Sequence, residues 1–315
     1  MKLVIRILGV LGVAIGVFVL AGVVATWAPD RPVSQLSPRW ALPPSQFVLV
    51  NGMQVHVRDE GPRNDPNPIV LLHGTSDSLH TWAGWSEALR GQRRVIRFDL
   101  PAFGLTGPDP KNDYSIDAYV RFVGAVLDTL GVPSFVLAGN SLGGQIAWAT
   151  AAAMPQRVSK LVLVDAAGYP MQPQSVPIGF LIARIPGMRS VMEYVLPRGV
   201  VESSVRNVYG DPSKVTPGLV DRFYDLTLRE GNRRALAYRL EQKLSGDEAQ
   251  IKALRVPTLI LWGGKDRLIP VENGKRFAAD IPNSQLVVFD NLGHVPQEED
   301  AQVTVGVVKL FLGMR

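Results

Sequence analysis

Short apolar runs recur along most of the chain, and segments with a helical pattern lie between them. Runs of four to eight residues rich in Val, Ile and Leu are typical of strands buried on both faces of a parallel sheet. Alternating residues on both sides of Asn51-Gly52 predict a β-hairpin before the first such run. The alternation of strand and helix indicates an α/β fold with a doubly wound, mostly parallel sheet. The predicted strands are 47–50, 53–58, 69–72, 94–98, 134–138, 157–164, 256–262 and 285–289.

This alternation stops between Tyr169 and Gln250, where no convincing strand pattern occurs and the residues look helical, as at 180–194 and 219–244. A helical insertion between two strands lies at one edge of the sheet, where it can exclude water and shape a pocket. We therefore predict a helical cap or lid at 169–250. The core domain would then comprise 46–168 and 251–315.

The first 27 residues differ from the rest. Residues 7–25 contain no charge, and as a helix they would reach about 28 Å, which is enough to cross a bilayer core. We predict an uncleaved transmembrane anchor at 1–27, with a cleaved signal peptide ending at Ala25 as the alternative. Lys2 and Arg6 favour a cytoplasmic N-terminus, which places the remaining chain on the extracytoplasmic side. Cleavage would instead give a secreted protein.

Residues 28–45 contain five prolines, a composition that disfavours both helix and sheet. We predict that this segment is an extended stalk between the membrane and the core domain. The five prolines are Pro29, Pro32, Pro38, Pro43 and Pro44.

Composition narrows the chemistry. The 315 residues are 46% hydrophobic, which is enough for a sizeable core. The absence of cysteine excludes disulfides, thiolate metal sites and cysteine nucleophiles. The formal charge of +5 is spread over scattered Lys and Arg without a nucleic-acid motif, so we expect no nucleic-acid partner. The oligomeric state is left open.

The sequence Gly139-Asn-Ser141-Leu-Gly143 lies between an apolar strand and a segment rich in small helix formers. A sharp strand-to-helix turn places its serine in a strained conformation, and the residues two before and two after must lack side chains. Ser141 is therefore the candidate nucleophile. The N-terminus of the following helix points at the serine and would stabilise a developing negative charge.

Two other strand ends supply the partners that a serine nucleophile needs. Asp266 follows the strand 256–262 and is the candidate acid, and His294 follows 285–289 and is the candidate base. Asp165, which also ends a strand, is the rival for the acid. Hydrolases with this arrangement bind the oxyanion with two backbone N–H groups, which here are those of Thr75 and Leu142.

Together these motifs resemble the α/β-hydrolase superfamily, and in particular its cap-bearing serine hydrolases. The resemblance covers about 47–312 and implies a Ser141–Asp266–His294 triad without a metal or organic cofactor. It is carried by His73-Gly74, Asp99-Leu-Pro-Ala-Phe-Gly104, Gly139-Asn-Ser-Leu-Gly-Gly144, Gly263-Gly-Lys-Asp266 and Gly293-His294.

The motifs indicate the fold more specifically than they indicate the substrate class. Serine at the turn argues against epoxide hydrolases and haloalkane dehalogenases, which carry aspartate there. Gly-Asn-Ser-x-Gly-Gly also resembles carbon–carbon hydrolases of ring-cleavage products, but those usually have tryptophan after the histidine and a glycine-rich oxyanion loop. This chain has Val295 and Thr75-Ser-Asp-Ser78 instead, which favours esters.

With its apolar N-terminus, the chain is similar in layout to membrane-bound monoacylglycerol lipases. We therefore predict a membrane-anchored serine ester hydrolase that acts on a small hydrophobic or lipid-like ester through an acyl-enzyme on Ser141. The alternatives are a carbon–carbon hydrolase, an acyltransferase, a cofactor-free perhydrolase and, outside catalysis, a membrane-anchored binding protein.

Overall fold

A computed structural model describes residues 2–170, 172–185, 187, 191–242 and 247–314. Its centre is an eight-stranded sheet in the order β1-β2-β4-β3-β5-β6-β7-β8. The pairs β1–β2 and β2–β4 are antiparallel, and all other neighbours are parallel. The predicted doubly wound, mostly parallel sheet is thus confirmed. The strands are β1 Ser45–Val50, β2 Met53–Glu60, β3 Ile69–Leu72, β4 Val95–Phe98, β5 Phe135–Asn140, β6 Val158–Val164, β7 Thr258–Gly263 and β8 Ser284–Phe289.

Helices cover both faces of the sheet. Strand β3 divides its side chains between the faces: Val70 and Leu72 join the core cluster beneath α4 and α5, and Ile69 and Leu71 join the one beneath α3 and α13. Burial on both faces explains why β3 is apolar without alternation. The helices are α1 Lys2–Ala25, α2 Val33–Trp40, α3 Ala83–Leu89, α4 Ile116–Thr129, α5 Leu142–Ala153, α6 Ile178–Ala183, α7 Arg198–Val208, α8 Pro217–Thr227, α9 Asn232–Glu241, α10 Glu248–Ala253, α11 Val271–Asp280, α12 Pro296–Glu299 and α13 Ala301–Leu312.

Between β6 and β7, the described residues form helices α6 to α10 and no strand. The helical pattern at 180–194 lies partly outside the described residues, as does the end of 219–244. Within the latter, α8 and α9 are separate because Gly231 has a φ of 82°, which a continuous helix does not allow. We call the segment 169–250 the cap.

The N-terminal segment forms helix α1, although several of its side chains are outside the described part of the chain. The predicted anchor at 1–27 therefore lies partly outside the described residues. Among the residues described, no helix is both long enough and apolar enough to pass through a membrane.

Residues 28–41, which we call the strap, differ from the extended stalk that the prolines predicted. Helix α2 lies within the strap, and its Leu36 is buried against Leu105 and Leu226. Strap side chains also form ion pairs with the cap, between Asp30 and Arg233 at 2.5 Å and between Arg31 and Asp225 at 3.0 Å. These tertiary contacts outweigh the low helix propensity of a proline-rich segment.

Candidate active site

The turn after β5 has the geometry that its glycines predict. Ser141 has φ 55° and ψ −116°, a strained combination for a residue with a side chain, and α5 begins at the next residue. A Cβ on Gly143 would collide with the carbonyl oxygen of Leu72, and one on Gly139 would collide with that of Gly143. The Ser141 N–H donates to the Val164 carbonyl at 3.0 Å, which ties the strained turn to β6.

Asp266 and His294 meet at the same edge of the sheet. The His294 Nδ1 lies 2.6 Å from Asp266 Oδ2, and both side chains are buried. The other carboxylate oxygen, Oδ1, accepts hydrogen bonds from the N–H groups of Leu268 and Ile269 at 2.8 and 2.9 Å. Asp266 is therefore held in place on both oxygens. A carboxylate at Nδ1 leaves Nε2 of His294 available to accept a proton.

Asp165 lies beside this pair, but His294 bonds to Asp266 and not to Asp165. Asp165 Oδ1 accepts a hydrogen bond from the Gly263 N–H at 2.9 Å. Burial and the adjacent Asp266 charge raise the pKa of Asp165 well above its usual range. Ligand atoms of Asp165, Asp266 and His294 lie within 4.8 Å of one another, which is close enough to hold a cation. The 2.6 Å bond already engages His294 Nδ1, so the arrangement fits a hydrogen-bonded chain better.

A cavity of about 280 Å³, which we call the reaction chamber, contains Ser141 and His294 on its wall. Thr75 and Leu142 also line it, and no acceptor for either backbone N–H is found among the described residues. Two unpaired N–H groups near a serine can stabilise an oxyanion. The cap closes the chamber with apolar side chains, among them Val176, Phe180, Val208, Phe223 and Leu240.

One cation lines this otherwise apolar wall. Arg184 follows α6 in the cap, and within the described ranges we find no hydrogen bond or ion pair of its guanidinium group. A cation beside an apolar chamber can bind a carboxylate.

Sequence analysis missed several residues that organise the site. Asn140 donates to the carbonyl oxygen of His294 at 2.9 Å and so joins the serine turn to the histidine loop. The His294 N–H donates to the Val208 carbonyl at 2.8 Å, which joins the same loop to the cap. In the sequence, only the position of Asn140 next to Ser141 in the motif Gly139-Asn-Ser141 indicated that it belongs to the site. No sequence pattern indicated the contact between Val208 and His294.

A buried ion cluster also links the cap to the segment Thr75-Ser-Asp-Ser78, which we call the oxyanion segment. Arg222 of α8 contacts Glu298 at 2.5 Å and Asp77 at 3.4 Å, and Asp77 lines the reaction chamber two residues after Thr75. Burial raises the pKa of Asp77 to about 7, even though Arg222 counteracts this effect. These three residues are far apart in the sequence, so no local pattern could reveal the cluster.

A hydrogen-bonded Ser–His–Asp chain joins β1, β2 and the end of β4. Ser45 Oγ is 2.9 Å from His56 Nε2, and His56 Nδ1 is 2.8 Å from Asp99 Oδ2. None of the three lines the reaction chamber. Asp99 also accepts hydrogen bonds from the N–H groups of Leu79 and Leu105, both at 2.7 Å, so its carboxylate holds neighbouring loops together.

Comparison with known proteins agrees with the fold. Residues 67–301 match the family model of the alpha/beta hydrolase fold. The chain is 32% identical to a 2-hydroxy-6-oxo-2,4-heptadienoate hydrolase from Pseudomonas putida, over 85% of this chain and 95% of that protein. It is 30% identical to a 2-hydroxymuconate semialdehyde hydrolase from a Pseudomonas species, over 84% and 92%. A meta-cleavage product hydrolase structure from Pseudomonas fluorescens superimposes with a TM-score of 0.73, at 26% identity over 85% and 97%.

These relatives do not show the resemblance to monoacylglycerol lipases, which stays a prediction. The family model covers most of the chain, including the serine turn, Asp266 and His294. The chain belongs to the α/β-hydrolase fold family.

Proposed function

We propose that this hydrolase cleaves a carbon–carbon bond beside a ketone, in a substrate that also carries a carboxylate. The observation that carries the proposal is Arg184, a cation on the cap side of the reaction chamber, whose wall also contains Ser141 and His294. An acidic substrate would give this cation its partner. The names of two relatives support the choice, since each describes a hydrolase of an acidic oxo compound. This replaces ester hydrolysis, our first expectation, as the leading candidate.

The site residues would take the following roles. His294 removes the proton from Ser141 Oγ as the oxygen attacks the ketone carbon, while Asp266 holds the imidazole tautomer. The N–H groups of Thr75 and Leu142 stabilise the oxyanion. Before the attack, the dienol tautomerises to its keto form, so that the 2-hydroxyl loses a proton and the leaving carbon gains one. When the carbon–carbon bond breaks, its electron pair is delocalised onto the C2 oxygen, and the resulting dienolate takes the proton that His294 removed from Ser141. Water finally hydrolyses the acyl group from Ser141.

The test substrate is 2-hydroxy-6-oxo-2,4-heptadienoate, on which the purified full-length protein should release acetate and 2-hydroxypenta-2,4-dienoate. We expect Ser141→Ala to lower kcat by at least about a thousandfold. Ser45→Ala is the matched control and should leave kcat unchanged. Arg184→Met should raise KM more than it lowers kcat. If the wild type releases no acetate, carbon–carbon cleavage is excluded for this substrate.

Ester hydrolysis is the second candidate. Val295 follows His294, and Thr75-Ser-Asp-Ser78 occupies the oxyanion segment, where ring-cleavage hydrolases usually differ. Turnover of p-nitrophenyl esters from acetate to palmitate, compared with ketone cleavage by the same preparation, ranks the two activities. Covalent labelling of Ser141 by a fluorophosphonate would count against a binding protein without catalysis.

We also propose that α1 attaches the chain to a membrane, with the N-terminus cytoplasmic and the hydrolase on the other side. The support is a set of apolar side chains on α1 that are more than half exposed, because an exposed apolar surface of this kind favours contact with a membrane. Fractionation of cells would place the protein in the membrane pellet, and intact mass would report cleavage. A mature chain that begins at Thr26 would contradict the anchor. The exposed side chains are Leu8, Val10, Leu11, Val13, Val17, Phe18 and Val24.

A further inference from the structure

The oxyanion segment has few contacts of its own to hold it beside the nucleophile. Within the described residues, neither Thr75 nor Ser76 has an acceptor for its backbone N–H. Ser76 has a φ of 61°, a left-handed conformation that strains a residue with a side chain. A Cβ on Gly74 would lie 3.1 Å from that of Ser141, so the segment begins directly beside the nucleophile. A strained segment in this position needs support from the residues around it.

The side chain of Asp77 connects the oxyanion segment to the cap. Its Oδ1 accepts a hydrogen bond from the Ser78 N–H at 2.7 Å and lies 3.4 Å from Arg222 Nη2. Arg222 belongs to α8, so its guanidinium group reaches the segment from the cap. The side chains of Asp77 and Arg222 are both at least nine-tenths buried, and solvent therefore screens their interaction little.

The same guanidinium group also holds the residues that follow His294. Nη1 and Nη2 of Arg222 donate to the two carboxylate oxygens of Glu298 at 2.5 and 2.9 Å. A two-point pair of this kind fixes orientation as well as distance. Glu298 Oε2 also accepts a hydrogen bond from Thr81 Oγ1 at 2.9 Å, which ties Glu298 to the core domain. Arg222 therefore joins the cap, the oxyanion segment and the segment after His294 at one group.

Helix α8 also shapes the reaction chamber. Phe223, the residue after Arg222, lies on the chamber wall, and its ring centroid is 4.8 Å from the guanidinium carbon of Arg222. The position of α8 that places Phe223 on the wall is thus also the position in which Arg222 reaches Asp77 and Glu298. This matters for the rate, because a displacement of about 1 Å in a positioned group can slow a reaction about a hundredfold.

We infer that Arg222 is a positioning residue that couples closure of the cap to the placement of the Thr75 N–H and of His294. It does not line the reaction chamber, so it acts through Asp77 and Glu298 and not on the substrate. Closing the chamber and assembling the oxyanion site are then a single event. The inference rests on the proposed function only for the use of the Thr75 N–H as an oxyanion donor, and not for the bond that is cleaved.

The first test is kinetic and uses 2-hydroxy-6-oxo-2,4-heptadienoate with the full-length protein. We expect Arg222→Met to lower kcat about 10- to 100-fold and to change KM less than about threefold, because the oxyanion forms only after binding. Arg206→Met is the matched control, since Arg206 lies on another cap helix, α7, in a half-exposed pair with Glu202. It should leave both constants unchanged. A higher KM with an unchanged kcat in Arg222→Met overturns the inference.

Two further variants separate positioning from stability. Arg222→Met leaves two buried carboxylates without their cation, which can unfold the protein. A triple variant, Asp77→Asn with Arg222→Met and Glu298→Gln, removes all three charges at similar volume, and it should fold but show the same loss of kcat. Val305→Ala, in the core beneath α13 and away from the cluster, measures the effect of lost stability alone and should keep kcat. A triple variant with the kcat of the wild type overturns the inference.

Hydrogen–deuterium exchange separates failure of this inference from failure of the proposed function, because it requires no turnover. Peptides that cover 75–81 and 290–299 should exchange at least about tenfold faster in the triple variant than in the wild type, whereas a peptide that covers β5 should not change. Arg206→Met should match the wild type throughout. Faster exchange confined to the two segments supports the inference even if no ketone is cleaved. Unchanged exchange overturns it even if the ketone is cleaved.

Discussion

Ser141 and Ser45 show how much the role of a serine depends on the groups around it. Ser45 Oγ has both a histidine and an aspartate behind it, but it also accepts a hydrogen bond from Arg58 Nε at 2.9 Å and lies at the start of strand β1. Ser141 instead lies at a helix N-terminus, in a chamber that also contains the N–H groups of Thr75 and Leu142. N–H donors in such a position can stabilise the oxyanion that a reactive serine must form.

We therefore expect a fluorophosphonate probe to label Ser141 and not Ser45. The labelled peptide is identified by mass spectrometry in the wild type, in Ser141→Ala and in Ser45→Ala. Labelling should disappear only in Ser141→Ala. A labelled Ser45 peptide would mean that the hydrogen-bonded chain alone makes a serine reactive.

Asp77 offers a second prediction at the scale of single residues. Its pKa is raised to about 7 by burial, whereas an unfolded aspartate titrates near pH 3.9. The native state thus holds a proton that the unfolded state loses, so this residue lowers the free energy of unfolding as the pH rises from about 4 to about 7. Asp77→Asn removes the titration.

Urea denaturation of the wild type and Asp77→Asn at pH 5 and pH 7.5 measures this effect. Relative to the wild type, the variant should gain about 2.5 kcal/mol in the free energy of unfolding between the two pH values. Parallel pH dependences of the two proteins would show that Asp77 does not hold a proton in the native state.

The limits of sequence analysis are also clearest among single residues. Each of Ser141, Asp266 and His294 follows an apolar run, and parallel strands bring such ends to one edge, so local pattern was sufficient to nominate them. Arg222 and Asp77 are 145 residues apart and follow no pattern, because their contact depends on how the cap packs on the core. Pairings of this kind require coordinates.

At the scale of elements, the serine turn depends on backbone contact between β3 and α5. Gly143 lies against the Leu72 carbonyl, so any side chain there must displace the helix or the strand. We expect Gly143→Ala to destabilise the protein by roughly 1–3 kcal/mol and to abolish labelling of Ser141. Thermal unfolding and fluorophosphonate labelling measure the two effects.

Helix α13 supplies the matched control. A Cβ on Gly306 would meet nothing within 4 Å, so Gly306→Ala should leave labelling intact and stabilise the protein by up to about 1 kcal/mol. If both alanine variants behave alike, the close approach at Gly143 is not what the turn requires.

The strap shows why element prediction failed where the core succeeded. The strands were predictable because burial on both faces leaves a continuous apolar run in the sequence. Helix α2 has eight residues with a proline among them, and its stability comes from Leu36 and from ion pairs with residues almost 200 positions away. The composition of the segment shows its prolines but does not indicate those distant partners.

At the scale of the whole molecule, the strap is a candidate for holding the cap over the reaction chamber. Asp30 contacts Arg233, whose side chain is almost fully buried, and also accepts a hydrogen bond from the Gly231 N–H at 2.8 Å. Arg31 and Arg39 both contact Asp225 of α8, the helix that also carries Arg222. The strap and the buried ion cluster therefore hold the same helix, α8, through two different side chains, Asp225 and Arg222.

Two deletions separate the role of the strap from that of α1. Removal of 2–25 leaves every strap contact, so kcat/KM should stay within about twofold of the wild type while the protein leaves the membrane pellet. Removal of 2–41 also removes the carboxylate partner of Arg233 and the arginine partners of Asp225, and breaking a buried ion pair costs about 3–5 kcal/mol. A looser cap admits water and misplaces the apolar walls, so we expect kcat/KM to fall at least about tenfold. Equal activity of the two shortened proteins would mean that the cap keeps its position without the strap.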